Sequence, residues 1–565
     1  MRRSRRETPP VPALAPTPPA PVLAPRRAIG ERPEAMSRIL IADKLDPSGL
    51  ELLAAGGAEI VELREADRPR LAEIIGDFDA LVVRSATKVT ADLLRAAKKL
   101  KVVGRAGIGV DNVDVDAATE LGILVVNAPT ANLMSATEHT FALLLAVARR
   151  VPEADASTKA GGWDRKLTGI ELQGKTLGVI GFGRIGQRVA KRARGFEMKV
   201  VAYDPYLDPA AARRLEVEML PLAELLSRSD AVTIHTPLTE QTRNLLDAER
   251  LALLPRGALV INCGRGGVID EAALLAALES GAVGGAGLDV FSEEPPTDRR
   301  LAAHPRVVAT PHLGAQTREA QERISTETAE MVLAALAGSF AIAAVNLPFR
   351  TSAGAGPGTG RLEAVMALGE TLGKMSCLLL GAPLERVQVD AWAIDEGFRQ
   401  PVAVAVLKGA LTAFMDEGVN YVNAEHVAEA RGIELILVSH GAHPEHAQLV
   451  GVTLTGGGRS VELGGTLVGE RDPRVVRFGG YRLEFRPQGH LLVLENRDVP
   501  GVVGKLGTLL GEARVNIADI HLARRDGEAK ALAVLRLDQP AGDAVVARLR
   551  ALPEVLSASQ VDLQR

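Results

Sequence analysis

Short apolar runs alternate with helix-like patterns in two successive stretches of the chain, and this alternation constrains the fold more than any other feature. The first series covers residues 39–127 and the second covers residues 175–310. Strands that alternate with helices are typical of parallel sheets, because a parallel pair needs a long crossover connection. We therefore predict an α/β protein with two tandem parallel-sheet domains of Rossmann or flavodoxin-like type.

The chain is too long for these two domains alone. At roughly 150 residues per domain, its 565 residues predict three or four domains. A Gly-rich stretch at 351–360 marks a boundary after the second series. Beyond it we predict an α+β segment at 361–487. From residue 490 the order is strand, helix, strand, strand, helix, strand, which is ferredoxin-like.

The predicted domain boundaries follow these changes in pattern. They are a tail at 1–35, a substrate domain at 36–133 that also includes 318–348, a nucleotide-binding domain at 134–317, an intervening domain at 361–487, and a C-terminal domain at 488–565.

The tail differs from the rest of the chain in composition. Nine of the 32 prolines fall within residues 1–35, which carry a local charge of +4, so we expect disorder there. The opening arginines would suit a targeting arm or an arm for an anionic partner. Alternatively, translation begins at Met36, directly before the first predicted strand. A secretory signal is not expected, because no apolar segment follows the arginines.

The overall composition excludes several classes of protein. Lys and Arg number 66 and Asp and Glu number 70, a net charge of −4, which argues against nucleic acid as the main partner. The apolar runs are shorter than the roughly 18–20 residues that a membrane span needs. The only two cysteines, Cys263 and Cys377, exclude a disulfide framework and a CxxC zinc site. We predict a cytoplasmic protein without a metal site.

A glycine-rich loop predicts the cofactor. The motif Gly181-Phe-Gly183-Arg-Ile-Gly186 follows a predicted strand at 177–180 and precedes a predicted helix at 187–196. Glycines allow the backbone to approach a pyrophosphate, which then lies at the positive end of the helix. Asp204 ends the next strand, where a carboxylate binds the adenine ribose and repels a 2′-phosphate. The loop therefore favours NAD over NADP; the alternative is a doubly wound domain without a nucleotide.

Three residues with complementary chemistry, Arg265, Glu294 and His312, each lie just beyond a predicted strand of the second series. Ligands of open α/β sheets gather at the carboxyl ends of strands. A guanidinium group can clamp a carboxylate, an imidazole can take a hydroxyl proton, and a carboxylate can orient the imidazole and raise its pKa. Together they predict the oxidation of a hydroxy acid.

These residues lie in stretches that resemble the D-isomer-specific 2-hydroxyacid dehydrogenase family. The resemblance covers about residues 36–348. Within the family, the chain is similar to the long form that oxidises 3-phospho-D-glycerate to 3-phosphohydroxypyruvate with NAD, the first step of L-serine biosynthesis. The matching stretches are Val83-Arg-Ser-Ala-Thr-Lys-Val89, Gly104-Arg-Ala-Gly-Ile-Gly-Val-Asp-Asn112, the glycine loop, 262–267, 288–296 and 311–315.

The resemblance implies that Arg265, Glu294 and His312 are the catalytic residues. Glu293 adjoins Glu294, so the choice between these two carboxylates rests on the family. We expect His139, which lies beside a glutamate before an apolar helix, to be a structural residue.

The implied cofactor site draws on several loops. Ile108 stands where many relatives have threonine, so a hydroxyl contact is lost unless only the backbone meets the cofactor. We expect Cys263 to be a small neighbour of the nicotinamide and not a nucleophile. The implied cofactor-binding residues are Gly181, Gly183, Arg184, Ile185, Gly186, Asp204, Thr236, Cys263, Asp289, Ile108, Gly314 and Ala315.

A phosphorylated substrate needs cations to bind it. Arg84 and Arg105 lie at or after strand ends of the first series, and Arg165 lies in Trp163-Asp-Arg-Lys166. Ser85 and the neighbouring backbone N–H groups can bind carboxylate or phosphate oxygens. We predict that these residues bind substrate; the alternative is a scatter of surface cations.

The C-terminal unit resembles the ACT regulatory domain in the segment 496–501 and in Val515-Asn-Ile517. By this resemblance Asn496, Asp498 and Asn516 bind serine as an effector between two paired domains, within a homotetramer. The alternative is a dimerisation module without a ligand. Residues 361–487 are similar to the intervening domain of the long form.

Two other functions remain possible from the sequence. One is a glyoxylate or hydroxypyruvate reductase of the same family, which the ACT-like unit disfavours. The other is a non-catalytic, NAD-sensing protein similar to the C-terminal-binding-protein corepressors, which the intact Arg, Glu and His disfavour.

Overall fold

A computed structural model of the chain describes residues 36–207, 217–339, 344–349, 359–415, 418–525, 527 and 529–563. The predicted tail and residues 351–358 of the predicted linker lie outside the described residues. In the part of the chain that is described, no helix is both long and apolar enough to cross a membrane.

The first series forms a five-stranded parallel sheet. Its strands are β1 Arg38–Ile41, β2 Glu59–Glu62, β3 Ala80–Val83, β4 Val102–Arg105 and β5 Leu124–Asn127, with helices α1 Pro47–Ala55, α2 Leu71–Ile74, α3 Ala91–Ala96 and α4 Val115–Glu120. The strand order is β2-β1-β3-β4-β5, which is the flavodoxin-like order. All four residues of β3 are buried, as expected for a strand covered on both faces.

The second series forms a seven-stranded sheet in which every strand pair is parallel. Its strands are β6 Thr176–Ile180, β7 Lys199–Tyr203, β8 Glu218–Met219, β9 Ala231–Ile234, β10 Ala258–Asn262, β11 Val283–Leu288 and β12 Val307–Ala309. The helices that accompany it are α5 Leu133–Arg149, α6 Val151–Lys159, α7 Arg184–Gly195, α8 Leu222–Arg228, α9 Ala248–Leu251 and α10 Glu271–Glu279. Both predicted parallel-sheet domains are thus confirmed.

The order of the second sheet, β12-β11-β10-β9-β6-β7-β8, contains a switch point. The chain leaves β6 towards β7 on one side and later returns to β9 on the other. Loops that follow β6 and β9 therefore diverge and open a crevice at the carboxyl ends of the strands, where ligands of such sheets bind.

Helix α11, Arg318–Leu336, returns to the first sheet. Ile324 and Val332 on this helix belong to a buried cluster with Ile39 and Val102 of the first sheet. A Cβ at Gly104 would lie 2.5 Å from a methyl group of Val332, so this glycine permits the helix to pack closely.

Residues 359–485 form a six-stranded mixed sheet with three helices. The elements are α12 Thr359–Leu380, β13 Arg386–Trp392, α13 Glu396–Thr412, α14 Ala424–Ala430, β14 Glu434–His440, β15 Leu449–Gly456, β16 Arg459–Val468, β17 Asp472–Phe478 and β18 Tyr481–Phe485. The order is β14-β13-β15-β16-β17-β18, with one parallel pair, β13 and β14. This agrees with the predicted α+β segment.

The C-terminal unit has the predicted ferredoxin-like order. Its elements are β19 Gly489–Arg497, α15 Val502–Glu512, β20 Ile517–Arg524, β21 Lys530–Leu537, α16 Asp543–Arg550 and β22 Val555–Leu563, and the sheet order is β20-β21-β19-β22. One face packs on the helices. On the other face, Val493 and Val534 join a buried cluster that includes Val475 and Phe485 of the preceding sheet.

Candidate active site

The three glycines of the loop after β6 meet three different requirements. Gly181 has a φ of +87°, and a Cβ there would lie 2.8 Å from the carbonyl carbon of His235. A Cβ at Gly186 would lie 2.2 Å from the carbonyl oxygen of Gly181, whereas a Cβ at Gly183 would meet nothing within 4 Å. The first glycine therefore makes the turn and the third permits close packing. The second leaves open space at the start of α7, where a pyrophosphate can approach.

Asp204 lies directly beside this loop. Its Oδ2 accepts the backbone N–H of Phe182 at 2.9 Å and its Oδ1 accepts that of Tyr206 at 3.0 Å. Each carboxylate oxygen retains a further lone pair. The carboxylate is thus fixed at the end of β7, next to the glycine loop, with capacity to accept hydrogen bonds from a ribose.

Two buried polar atoms after β9 suit a bound nucleotide. Oγ1 of Thr236 and Nδ1 of His235 are buried without a hydrogen-bond partner among the described residues. Burial lowers the pKa of His235 to about 4, so its imidazole is neutral. A buried polar group without a partner costs free energy, and a nucleotide at this switch point would supply partners. The residues present therefore fit the cofactor that the glycine loop predicts.

Three other predicted cofactor residues each follow the carboxyl end of a strand: Arg184 follows β6, Ile108 follows β4 and Cys263 follows β10. Arg184 begins α7, and its Nη1 lies 3.5 Å from the carbonyl oxygen of Pro129. The backbone carbonyl of Ile108 accepts the side-chain N–H of Asn127 at 2.6 Å. Cys263 is buried, and burial raises the pKa of its thiol to about 12, which agrees with the expectation that it is not a nucleophile.

His312 and Glu294 are hydrogen-bonded. Nδ1 of His312 lies 2.7 Å from Oε2 of Glu294, and the two side chains are 50% and 38% exposed. This hydrogen bond and the negative charges of Glu294 and Asp289 raise the pKa of His312, against the opposing effects of burial and Arg265. The other imidazole nitrogen, Nε2, is left to act on a ligand.

Asp289 fixes the loop that carries His312. Its carboxylate accepts the backbone N–H groups of Leu313 at 2.7 Å and Gly314 at 2.8 Å, and the hydroxyl of Thr310 at 2.6 Å. The backbone N–H of His312, whose φ is +56°, donates to the carbonyl of Asp289 at 2.9 Å. Asp289 therefore holds the His312 loop in its left-handed conformation.

His139 supports the same carboxylate from α5. Its Nε2 lies 3.1 Å from Oδ1 of Asp289 and 3.0 Å from Oγ1 of Thr310, in agreement with the structural role expected for it. Ligand atoms of His139, Cys263 and Asp289 lie within 4.8 Å of one another. The hydrogen bond between His139 and Asp289 accounts for the proximity of these two residues.

Arg265 follows β10 and faces the first sheet. Its Nη1 donates to the carbonyl of Gly264 at 2.9 Å, and its Nε lies 3.3 Å from Oδ2 of Asp111 in the loop after β4. Its positive charge acts to lower the pKa of both His312 and Arg105. The three predicted catalytic side chains are therefore grouped at one edge of the second sheet, opposite the loops of the first.

The loop with Arg84 and Ser85 is held by two side chains that sequence reasoning missed. Buried Asp43 accepts the backbone N–H of Arg84 at 2.7 Å and the hydroxyl of Thr87 at 2.9 Å. Asn112 donates to the carbonyl oxygens of Arg84 and Thr87 at 2.7 and 2.6 Å. These hydrogen bonds leave the side chain of Ser85 exposed. A carboxylate two residues after β1 was the available signal for Asp43.

The chain matches two family models. Residues 141–314 match the NAD binding domain of D-isomer specific 2-hydroxyacid dehydrogenases, and residues 361–479 match the D-3-phosphoglycerate dehydrogenase intervening domain. A D-3-phosphoglycerate dehydrogenase of Bacillus subtilis is 39% identical over 531 residues, which cover 94% of this chain and 100% of the relative. The chain belongs to the D-3-phosphoglycerate dehydrogenase family.

Other comparisons agree with this membership. A D-3-phosphoglycerate dehydrogenase of Mycobacterium tuberculosis is 43% identical over 534 residues, which cover 93% of this chain and 99% of the relative. A solved structure of a Thermus thermophilus protein is 40% identical, with a TM-score of 0.50, and covers 53% of this chain and 97% of its own. NAD is the cofactor of the matched domain.

Two groups of predicted residues in this D-3-phosphoglycerate dehydrogenase family member do not join the cluster. Arg165 lies in an exposed loop between α6 and β6, and no contact found among the described residues links it to the other candidates. Asn496 and Asp498 lie at the end of β19, whereas Asn516 precedes β20. Because Ile517 pairs with Leu537, which pairs with His490 at the start of β19, Asn516 is at the opposite end of the sheet. At ~3.3 Å per residue the separation is about 20 Å.

Proposed function

We propose that the protein oxidises 3-phospho-D-glycerate to 3-phosphohydroxypyruvate with NAD, the reaction that begins L-serine biosynthesis. The hydrogen bond between His312 and Glu294, beside Arg265 and opposite the cations of the first sheet, is the observation that carries this proposal. Relatives that bear the name of this activity match the chain over nearly its whole length.

His312 acts as the base in this proposal. Its Nε2 takes the proton of the substrate hydroxyl, and Glu294 stabilises the imidazolium that results. Arg265 binds the substrate carboxylate, for which its two terminal nitrogens are suited. Bound NAD supplies the acceptor for the hydride that leaves the carbinol carbon.

The phosphate is proposed to bind at the first sheet. Arg84 and Arg105 supply positive charge there, and Ser85 and the backbone of its loop supply N–H and O–H donors. Burial, together with the positive charge of Arg265, lowers the pKa of Arg105 to about 10. An arginine whose own charge is disfavoured in this way gains from an anionic ligand. Arg165 is proposed as a further ligand of the phosphate, although no contact among the described residues links it to Arg84 or Arg105.

The test is a spectrophotometric assay of NAD reduction. We expect reduction with 3-phospho-D-glycerate and much slower reduction with D-glycerate. Faster turnover of glyoxylate or hydroxypyruvate than of the phosphorylated substrates would identify a reductase of the same family. Absence of NAD reduction with any hydroxy acid would favour a corepressor-like binding protein.

We also propose that serine inhibits the enzyme by binding between two C-terminal units in a cytoplasmic homotetramer. Oδ1 of Asn496, a residue only 5% exposed, has no hydrogen-bond partner among the described residues. The separation of Asn516 from Asn496 supports a site that draws on two copies of the chain. Unchanged kinetics at millimolar serine would refute inhibition, and sedimentation analysis tests the tetramer.

A further inference from the structure

An ion pair joins the two α/β sheets at the candidate active site. Asp111 lies in the loop after β4, Arg265 lies in the loop after β10, and Oδ2 of the former is 3.3 Å from Nε of the latter. The loop approaches closely because residue 109 is glycine: a Cβ at Gly109 would lie 2.2 Å from Nη2 of Arg265. The guanidinium group that is proposed to bind the substrate carboxylate thus already contacts a carboxylate of the protein.

Asp111 lies among an excess of positive charge. Burial first, and then the charges of Arg265 and Arg84, lower the pKa of Arg105, while Asp111 opposes this shift. Nε of Arg105 is buried without a hydrogen-bond partner among the described residues. The loops of the two sheets therefore form a cationic region in which Asp111 takes the position of an anionic ligand.

Asp111 is more exposed and less firmly held than Asp43, the other carboxylate that acts on Arg105. Asp43 is only 5% exposed and is fixed by the hydrogen bonds of its loop. The side chain of Asp111 is 67% exposed, while that of Arg265 is 28% exposed. Asp111 can therefore rotate into solvent at little cost and leave Arg265 in place.

We propose that Asp111 is an internal substitute for the substrate carboxylate: it pairs with Arg265 and must be displaced before a 2-hydroxy acid binds. This inference rests on the proposed function, because it assigns the carboxylate-binding role to Arg265. It makes Asp111 a residue that sets substrate affinity without contact with the reacting atoms.

The direction of the effect follows from the charges. Replacement of Asp111 by asparagine removes the competitor and the repulsion that it exerts on an incoming anion. For a partly solvated pair we expect the KM for 3-phospho-D-glycerate to fall about five- to tenfold. The kcat should change less than about twofold, and the KM for NAD should stay the same.

Asp111→Asn should be compared with Asp116→Asn, which removes the same charge from the exposed first turn of α4. The control should leave KM unchanged. A KM that is unchanged or higher in Asp111→Asn would overturn the proposal. A parallel fall in kcat would instead identify Asp111 as a positioning residue for Arg265.

A second measurement separates this inference from the proposed function. Oxalate, an unreactive anion with adjacent carboxylates, is titrated calorimetrically into the NADH-bound protein and into both variants. We expect oxalate to bind Asp111→Asn about five- to tenfold more tightly than the wild type. This outcome would support the role of Asp111 even if 3-phospho-D-glycerate is not turned over. Equal affinities of the wild type and Asp111→Asn for oxalate would overturn the role of Asp111, even if 3-phospho-D-glycerate is turned over.

Discussion

Nδ1 of His312 and Oε2 of Glu294 are 2.7 Å apart, although 18 residues separate them in the chain. The two side chains follow neighbouring strands, β11 and β12, whose carboxyl ends meet at one edge of the sheet. The hydrogen bond raises the pKa of His312. It therefore links the orientation of the proposed base to the pH range in which that base is neutral.

Glu294→Gln should move the pH profile. Oxidation requires neutral His312, so log(kcat/KM) rises with pH until the imidazole has lost its proton. Loss of the carboxylate removes the main cause of the raised pKa, and the acidic limb should shift to lower pH. The measurement is kcat/KM as a function of pH. Glu293→Gln is the matched control, and a shift in that variant instead would reassign the role to Glu293.

His312→Asn should abolish most turnover. General base catalysis typically contributes about 10²–10⁴-fold, so we expect kcat to fall within that range while the Kd for NADH, measured by fluorescence titration, stays the same. Retention of more than about a tenth of the wild-type kcat would show that another group takes the proton. A weaker Kd for NADH would show that the cofactor site had also changed.

Asp204→Ser should relax the choice of cofactor. The carboxylate lies at the glycine loop, where it accepts hydrogen bonds from the ribose hydroxyls of NAD and repels the 2′-phosphate of NADP. We expect the ratio of kcat/KM for NAD to that for NADP to fall at least about tenfold. Asp204→Asn keeps an acceptor for the N–H of Phe182 and separates loss of charge from loss of loop structure. An unchanged ratio in both variants would contradict the assignment.

Asp43→Ala should destabilise the first sheet and weaken substrate binding. Removal of a buried carboxylate leaves its N–H and O–H partners unpaired, which costs about 2–4 kcal/mol. Thermal unfolding and the KM for 3-phospho-D-glycerate measure the two effects. The control is Asp77→Ala, which removes an exposed carboxylate that pairs with Lys99. This variant should change neither the thermal unfolding nor the KM.

The same residue predicts a pH dependence of stability. Burial raises the pKa of Asp43, but its hydrogen bonds with Arg84, Arg68 and Thr87 outweigh this effect and hold the pKa below its ordinary value of 3.8. A carboxyl group whose pKa is lower in the folded state than in the unfolded state stabilises the protein at pH values above its unfolded-state pKa. The stability difference between the wild type and Asp43→Ala should therefore narrow as the pH falls through the folded-state pKa.

The grouping of Arg265, Glu294 and His312 could be predicted from the sequence because parallel strands place their carboxyl ends at one edge. The predicted start of α7, residue 187, was three residues too late, because the helix already begins at Arg184, directly after Gly183. The contact of Asp111 with Arg265 could not be predicted: the two residues lie in loops that follow strands of different sheets, and only the packing of the two sheets brings them together. Antiparallel pairing likewise separates Asn496 from Asn516, which the order of motifs along the chain does not reveal.

The shared buried cluster beneath the last two sheets has a consequence for how the chain can be divided. Val493 and Val534 complete the same apolar interior as Val475 and Phe485, so the intervening and C-terminal segments should melt in one calorimetric transition. Truncation at residue 488 would expose the apolar surface that Val493 and Val534 cover and favour aggregation. Removal of the whole region after residue 350 would take away this interior except for Phe349, which would lose its apolar partners. We therefore expect residues 361–565 to behave, in this respect, as one cooperative appendage of the dehydrogenase.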